Sequence, residues 1–132
     1  MGSRAVTALV ATGLILTVAG CAAAQDPGVR RTVDRFFAAV RGGDGGAACA
    51  LLAPDTAEAL ASDEGNGCAA AIVKAGLPAA GTVVGTQVWG AEAQVRLSGD
   101  TVFLHRFPQG WRISAAGCVP RGDKPYRCEV EG

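Results

Sequence analysis

The chain has 132 residues, with 12 Lys and Arg against 12 Asp and Glu, so its formal net charge is zero. Without a basic excess it lacks the electrostatic footprint of a protein that holds a phosphate backbone, which argues against nucleic acid as a partner. The length suits one domain. Its apolar fraction of 49% includes only 5% aromatic residues, so the core leans on Ala and Val and gains from cross-links.

At the N-terminus, Arg4 precedes an apolar run from Ala5 to Ala19 (AVTALVATGLILTVA) that contains three Thr and one Gly. A spanning helix needs about 20 apolar residues, so the run is read as a secretory leader. Val18-Ala19-Gly20-Cys21 closes it. This tetrapeptide resembles the bacterial lipobox, in which the cysteine is acylated and the preceding segment removed. That resemblance implies a signal peptide over residues 1–20, a lipid-anchored tether over 21–26 and a single domain over 27–132. It also implies attachment through Cys21 to the extracytoplasmic face of the cell membrane. Two alternatives stay open: an uncleaved N-terminal anchor, and ordinary cleavage near Ala22-Ala23-Ala24-Gln25. Loss of Arg4 with the leader leaves 11 basic residues against 12 acidic ones.

With Cys21 set aside, Cys49, Cys68, Cys118 and Cys128 remain. An even set in an exported chain predicts disulfides. Three connectivities are possible; Cys49–Cys68 with Cys118–Cys128 is favoured because each pair flanks one local segment. No C-x-x-C or C-x-x-H spacing occurs, and the chain has one His. No metal site is therefore expected.

Asp26-Pro27 reads as an N-cap followed by proline at the first helical position. Val29, Val33, Phe36, Phe37 and Val40 then recur at helical spacing, with Arg30, Arg31, Asp34, Arg35 and Arg41 on the other face. This predicts an amphipathic helix with a solvated basic side, stopped by Gly42-Gly43. Asp44 should cap a second short helix that carries Cys49 and ends at Pro54. Asp55-Thr56-Ala57-Glu58 has capping-box spacing and predicts further turns with Leu60 inward. Ser62 to Gly67 is turn-rich. A third helix is expected from about Cys68 to Ala75.

From Thr82 the period changes to two, and four strands are predicted: Val83–Trp89, Ala91–Leu97, Thr101–Phe107 and Trp111–Ala116. Short turns between them imply an antiparallel meander. Cys118 to Cys128 should enclose a loop, Val119 to Pro125, before a short terminal strand begins at Tyr126. The Arg121-Gly122-Asp123 tripeptide within it is read as chance. Helices before strands give an α+β domain with helices on one face of a curved antiparallel sheet of four to five strands.

The features Val33-Asp34-Arg35-Phe36-Phe37-Ala38-Ala39-Val40, Gly43-Asp44, Ala48-Cys49-Ala50-Leu51-Leu52, Cys68 after Gly65, and Gly110-Trp111-Arg112-Ile113 with Cys118 resemble those of the nuclear transport factor two-like superfamily. This is the cystatin-like cone fold found in small exported actinobacterial lipoproteins. The resemblance runs from about Val29 to Val130. It implies a cone-shaped pocket between sheet and helices, which some relatives use for catalysis and many use only for binding.

Lining for such a pocket is expected from Phe36, Phe37, Val95, Phe103, His105 and Trp111, although the same residues also describe a plain core. The leading expectation is a non-enzymatic module that binds a small apolar ligand or an envelope protein. The alternatives are an isomerase- or hydrolase-type pocket using Asp100 and His105, and a structural module with a filled pocket. Cone-fold isomerases pair an Asp or Asp–His base with tyrosines, whereas this chain has one His and one Tyr. No phosphate-loop, dinucleotide or nucleophile-elbow pattern occurs, so no cofactor is expected.

Overall fold

The computed structural model describes residues 27–132, together with Gly2. The expected leader, lipidation at Cys21 and the Asp26 cap lie outside the described residues. Among these, no helix is long and apolar enough to cross a membrane.

Helix α1 (Pro27–Arg41) buries Val29, Thr32, Val33, Phe36 and Phe37. These positions recur at three- and four-residue steps, so they form one stripe against the sheet. The chain leaves α1 through Gly43, whose positive φ of 70° suits glycine at a helix end. Asp44 then caps α2 (Gly45–Cys49), its carboxylate accepting the Ala47 N–H at 3.0 Å.

Helix α3 (Pro54–Glu64) starts earlier than the capping-box spacing suggests. Its N-cap is Ala53, which makes no side-chain cap bond, and Pro54 opens the helix. Proline lacks the N–H that would go unsatisfied there and has a helix-compatible φ. Asp55 and Glu58 therefore fall inside the helix. The Thr56 hydroxyl turns to the sheet instead, donating to the Ser114 carbonyl at 3.0 Å. Gly65 ends α3 at φ 66°, and α4 (Cys68–Lys74) buries Ala71 and Ile72.

Strands β1 (Val83–Trp89), β2 (Glu92–Leu97), β3 (Thr101–Phe107), β4 (Gly110–Ala116) and a late β7 (Val130–Glu131) form one antiparallel sheet in the order β1-β2-β3-β4-β7. The helices lie on one face, and Val95, Val102, Leu104, Trp111 and Ile113 form the sheet's half of the core. The free side of β4 is shared along its length. Leu51 and Ala53 exchange backbone hydrogen bonds with Ile113 at 2.8 and 2.7 Å, while β7 takes Ala115 and Ala116.

The expected loop at 119–125 is a second small sheet, β5 (Val119–Arg121) paired with β6 (Lys124–Arg127). Gly122, with φ 67°, turns it. Tyr126 belongs to this hairpin, and the strand that rejoins the main sheet begins at Val130. The reason is closure: Cys118 and Cys128 are bonded, with their Cα atoms 4.0 Å apart, so the intervening chain must double back.

The other disulfide, Cys49–Cys68, joins α2 to α4 where their backbones touch. A Cβ added at Gly45 would lie 1.9 Å from the Ala69 carbonyl oxygen, whereas one at Gly46 meets only an Asp44 oxygen at 3.7 Å. Gly45→Ala is expected to lower stability by about 2 kcal/mol through overpacking against backbone. Gly46→Ala should leave stability unchanged or raise it by about 0.5 kcal/mol through helix propensity. Urea denaturation of the two variants checks the contrast.

Candidate functional site

The residues expected to line a pocket divide between the two faces of the sheet. Phe36, Phe37, Val95 and Trp111 are buried beneath the helices. Phe36 and Phe37 meet edge to face at 5.3 Å. Trp111 is held by α1, since the Thr32 hydroxyl lies 3.4 Å from its carbonyl, and the Arg106 guanidinium covers its ring at 5.5 Å. These four fill the core.

Phe103 and His105 lie on the other face. Along β3 it is Val102 and Leu104 that point to the helices, while Thr101, Phe103, His105 and Phe107 are half-buried on the outer side. Both alternating sets on this strand contain bulky apolar residues, so the sequence gives the period but leaves the phase open. The β5–β6 hairpin covers part of this outer row. Tyr126 packs edge to face on Phe103 at 5.2 Å and accepts a hydrogen bond from the Gln94 amide at 3.2 Å. His105 contacts the Glu92 carboxylate through Nδ1 and the Phe107 ring at 4.8 Å. Glu92 is exposed and His105 is partly so, so solvent reaches the pair and screens it.

Asp100 and His105 do not form a catalytic pair in this arrangement. Five residues of extended strand separate them by about 17 Å. Asp100 is also fully engaged: its carboxylate accepts backbone N–H groups from Thr101 at 2.6 Å, and from Gly117 and Cys118 at 3.0 Å each. Burial pushes this carboxyl above its ordinary value of 3.8, against the downward pull of those donors. Its role in this geometry is to tie the β2–β3 turn to the Gly117-Cys118 backbone that follows β4.

One hollow of about 530 Å³ lies where Arg35 and Ala38 of α1 meet Ala47, Leu51 and Arg112. A separate concave surface lies between α1 and the irregular stretch 76–82 that leads into β1. Two hollows of about 370 and 520 Å³ adjoin there and share Phe37, Arg41, Ala80 and Gly81 as lining. Their floor includes Val40 and Leu77 in the first and Val33, Val83 and Leu97 in the second. Arg30, Asp34 and Arg41 stand at the rim on α1. The volumes fall within the range of small-molecule sites, about 300–1,000 Å³. Of the residues expected from sequence, only Phe37 reaches this cleft.

The outer wall is pinned in place. The Ser98 hydroxyl accepts the Thr82 N–H at 2.9 Å, the Ser98 N–H bonds to the Thr82 carbonyl at 2.8 Å, and the Gly99 N–H bonds to the Ala80 carbonyl at 3.0 Å. Sequence reasoning missed this wall because residues 76–81, between the expected third helix and the first strand, hold two Gly and one Pro and show no period. The one available signal was Leu77, an isolated apolar residue between Gly76 and Pro78.

Comparison with protein-family models, curated proteins and solved structures finds no match to the chain.

Replacing Asp100 with Ala removes the acceptor of the Thr101 N–H and of the buried Gly117 N–H, and leaves the buried Cys118 N–H only its longer bond to the Thr101 carbonyl at 3.3 Å. A loss of about 3 kcal/mol at neutral pH is expected. Because the folded pKa lies above 3.8, the folded state binds more protons than the unfolded state between the two values. Stability contributed by Asp100 is thus full below 3.8 and falls as pH rises through the folded pKa. The gap between wild type and Asp100→Ala should be wider at pH 3 than at pH 7. Denaturation midpoints measured across that range check the sign.

Proposed function

We propose that the chain is an exported lipoprotein, acylated at Cys21 and held on the extracytoplasmic face of the cell membrane. In this reading its domain is a cone of the nuclear transport factor two-like type that binds a small, largely apolar ligand. The observation that carries the binding role is the pair of adjoining hollows between α1 and residues 76–82, with apolar side chains as their floor. Small-molecule sites combine apolar side chains with a few placed polar groups, and the cleft brings Phe37, Val40, Leu77 and Val83 together with Arg30, Asp34 and Arg41 in a lining of mixed polarity. The element order, helices first and an antiparallel meander after them, supports the cone reading.

The anchoring role rests on the chain's first 21 residues. Two buried acyl chains give stable attachment where one does not. Cys21 offers the site for them, and the four remaining cysteines are all engaged in disulfides.

The cleft is tested with the neutral fluorescent probe N-phenyl-1-naphthylamine. Saturable binding is expected in the full chain. Ala80→Trp, which places an indole where both hollows meet, should abolish that binding while leaving the unfolding free energy within about 1 kcal/mol of wild type. Failure of the wild-type chain to bind the probe saturably would remove the ligand-binding role.

The anchor is tested separately. Cys21→Ser should move the protein from the membrane fraction to the soluble fraction and abolish labelling by radioactive palmitate. A variant that stays membrane-bound and labelled overturns the lipobox reading.

A further inference from the structure

We infer that the ligand of the cleft is a single-chain amphiphile with an anionic head, its chain lying on the apolar floor and its head at Arg41; this rests on the cleft being the ligand site. Arg30, Asp34, Phe37 and Arg41 follow one another at steps of four, three and four on α1, so they share one helical stripe. Phe37 is buried and the three charged residues are exposed, and all four line the second hollow. The cleft thus sets two cations and one anion beside the apolar side chains of its lining.

Among the described residues neither arginine has an ion-pair or hydrogen-bond partner. The two are not equivalent. Asp34 lies one helical turn from Arg30 but two turns from Arg41, about 10 Å along the axis, so its charge offsets Arg30 far more. Asp44, the other acid near Arg41 in sequence, directs its carboxylate to the Ala47 N–H. Arg41 also lines both hollows, so a head group can meet this residue from either one.

The carbonyl end of a helix repels anions. At the end of α1 this effect is reduced, because the Ala38 and Ala39 carbonyls already accept N–H groups from Gly42 and Asp44. A guanidinium donates in a fork that fits a carboxylate or a phosphate equally well. The shared requirement is therefore an anionic oxygen head on an apolar chain.

The test uses the full chain with Cys21→Ser, so that the protein's own acyl groups do not compete. Fluorescence titration compares cis-parinaric acid with the corresponding alcohol. The acid should bind about tenfold more tightly at low salt, the effect of one partly solvated charge-assisted hydrogen bond. Arg41→Gln should erase that gap and leave the alcohol's affinity unchanged, while Arg30→Gln should narrow it by no more than about twofold.

Competition by oleate against lysophosphatidic acid distinguishes a carboxylate head from a phosphate head, and preferential displacement by either supports the inference. Equal affinity for acid and alcohol, or a gap that survives Arg41→Gln, overturns the inference and leaves the cleft as a neutral apolar site. Absence of binding by both probes overturns the inference together with the reading of the cleft on which it rests.

Discussion

Three backbone N–H groups, from Thr101, Gly117 and Cys118, converge on the carboxylate of Asp100, and the segments that meet there are remote in sequence. One is the turn between β2 and β3, and the other is the Gly117-Cys118 link that leads from β4 into the disulfide-closed hairpin. A carboxylate has lone pairs enough to accept all three without donating, which an amide side chain in the same place could not match. The cleft depends on this junction too. A Cβ at Gly117 would come within 2.9 Å of the Leu77 side chain, so Leu77 rests directly on the backbone that Asp100 holds. Ser98 and Gly99, immediately before Asp100, carry the hydrogen bonds that fix residues 80–82. The outer wall of the cleft thus hangs from one buried acid.

Covalent closure works at two other places. Cys49–Cys68 fastens the short helices α2 and α4, neither of which is long enough to be stable alone. Cys118–Cys128 forces the chain to double back, which lays Tyr126 over Phe103. In the chain-entropy model, loops closed across 19 and 10 residues contribute roughly 3 kcal/mol each. That is a large share of the stability of a domain this small. The closures leave α1 and the stretch 76–82 unlinked to each other, and the cleft lies between those two.

The parts of this architecture written in periodicity could be read directly from the sequence. The bounds expected for Val83–Trp89 and Thr101–Phe107 match the strands observed, and the placement of each cysteine pair about one local segment led to the pairing the structure contains. The face to which β3 turns each side chain could not be read, because Val102 and Leu104 compete with Phe103 and Phe107 for the core and local pattern does not decide between them. The β5–β6 hairpin was hidden for a different reason. Pro120 and Pro125 lie inside its short strands, and proline within a run argues against a strand unless the strand is an edge. The cleft was least legible, since its wall has no period at all. Only the hydrogen bonds to the β2–β3 turn give that wall a shape.

Strand β1 shows how a local irregularity serves the cleft. It is an edge strand of the main sheet, it carries no charged residue, and Val84 and Trp89 are 60% and 55% exposed. Such an edge invites pairing with another chain unless it is twisted or guarded. Both devices are present. The register slips between Val83 and Gly85, so that Val83 faces Leu97 and Gly85 faces Arg96 while Val84 has no partner; a bulge of this kind increases local twist. Arg96 reaches over the gap, its guanidinium within 2.9 Å of where a Cβ on Gly85 would stand, and gives the edge the charge that β1 lacks. Without the extra residue, Val83 and Gly85 would lie on the same face of the strand. With it, Gly85 stays beneath Arg96 on the outer face while Val83 turns inward beside Leu97, where both side chains line the cleft.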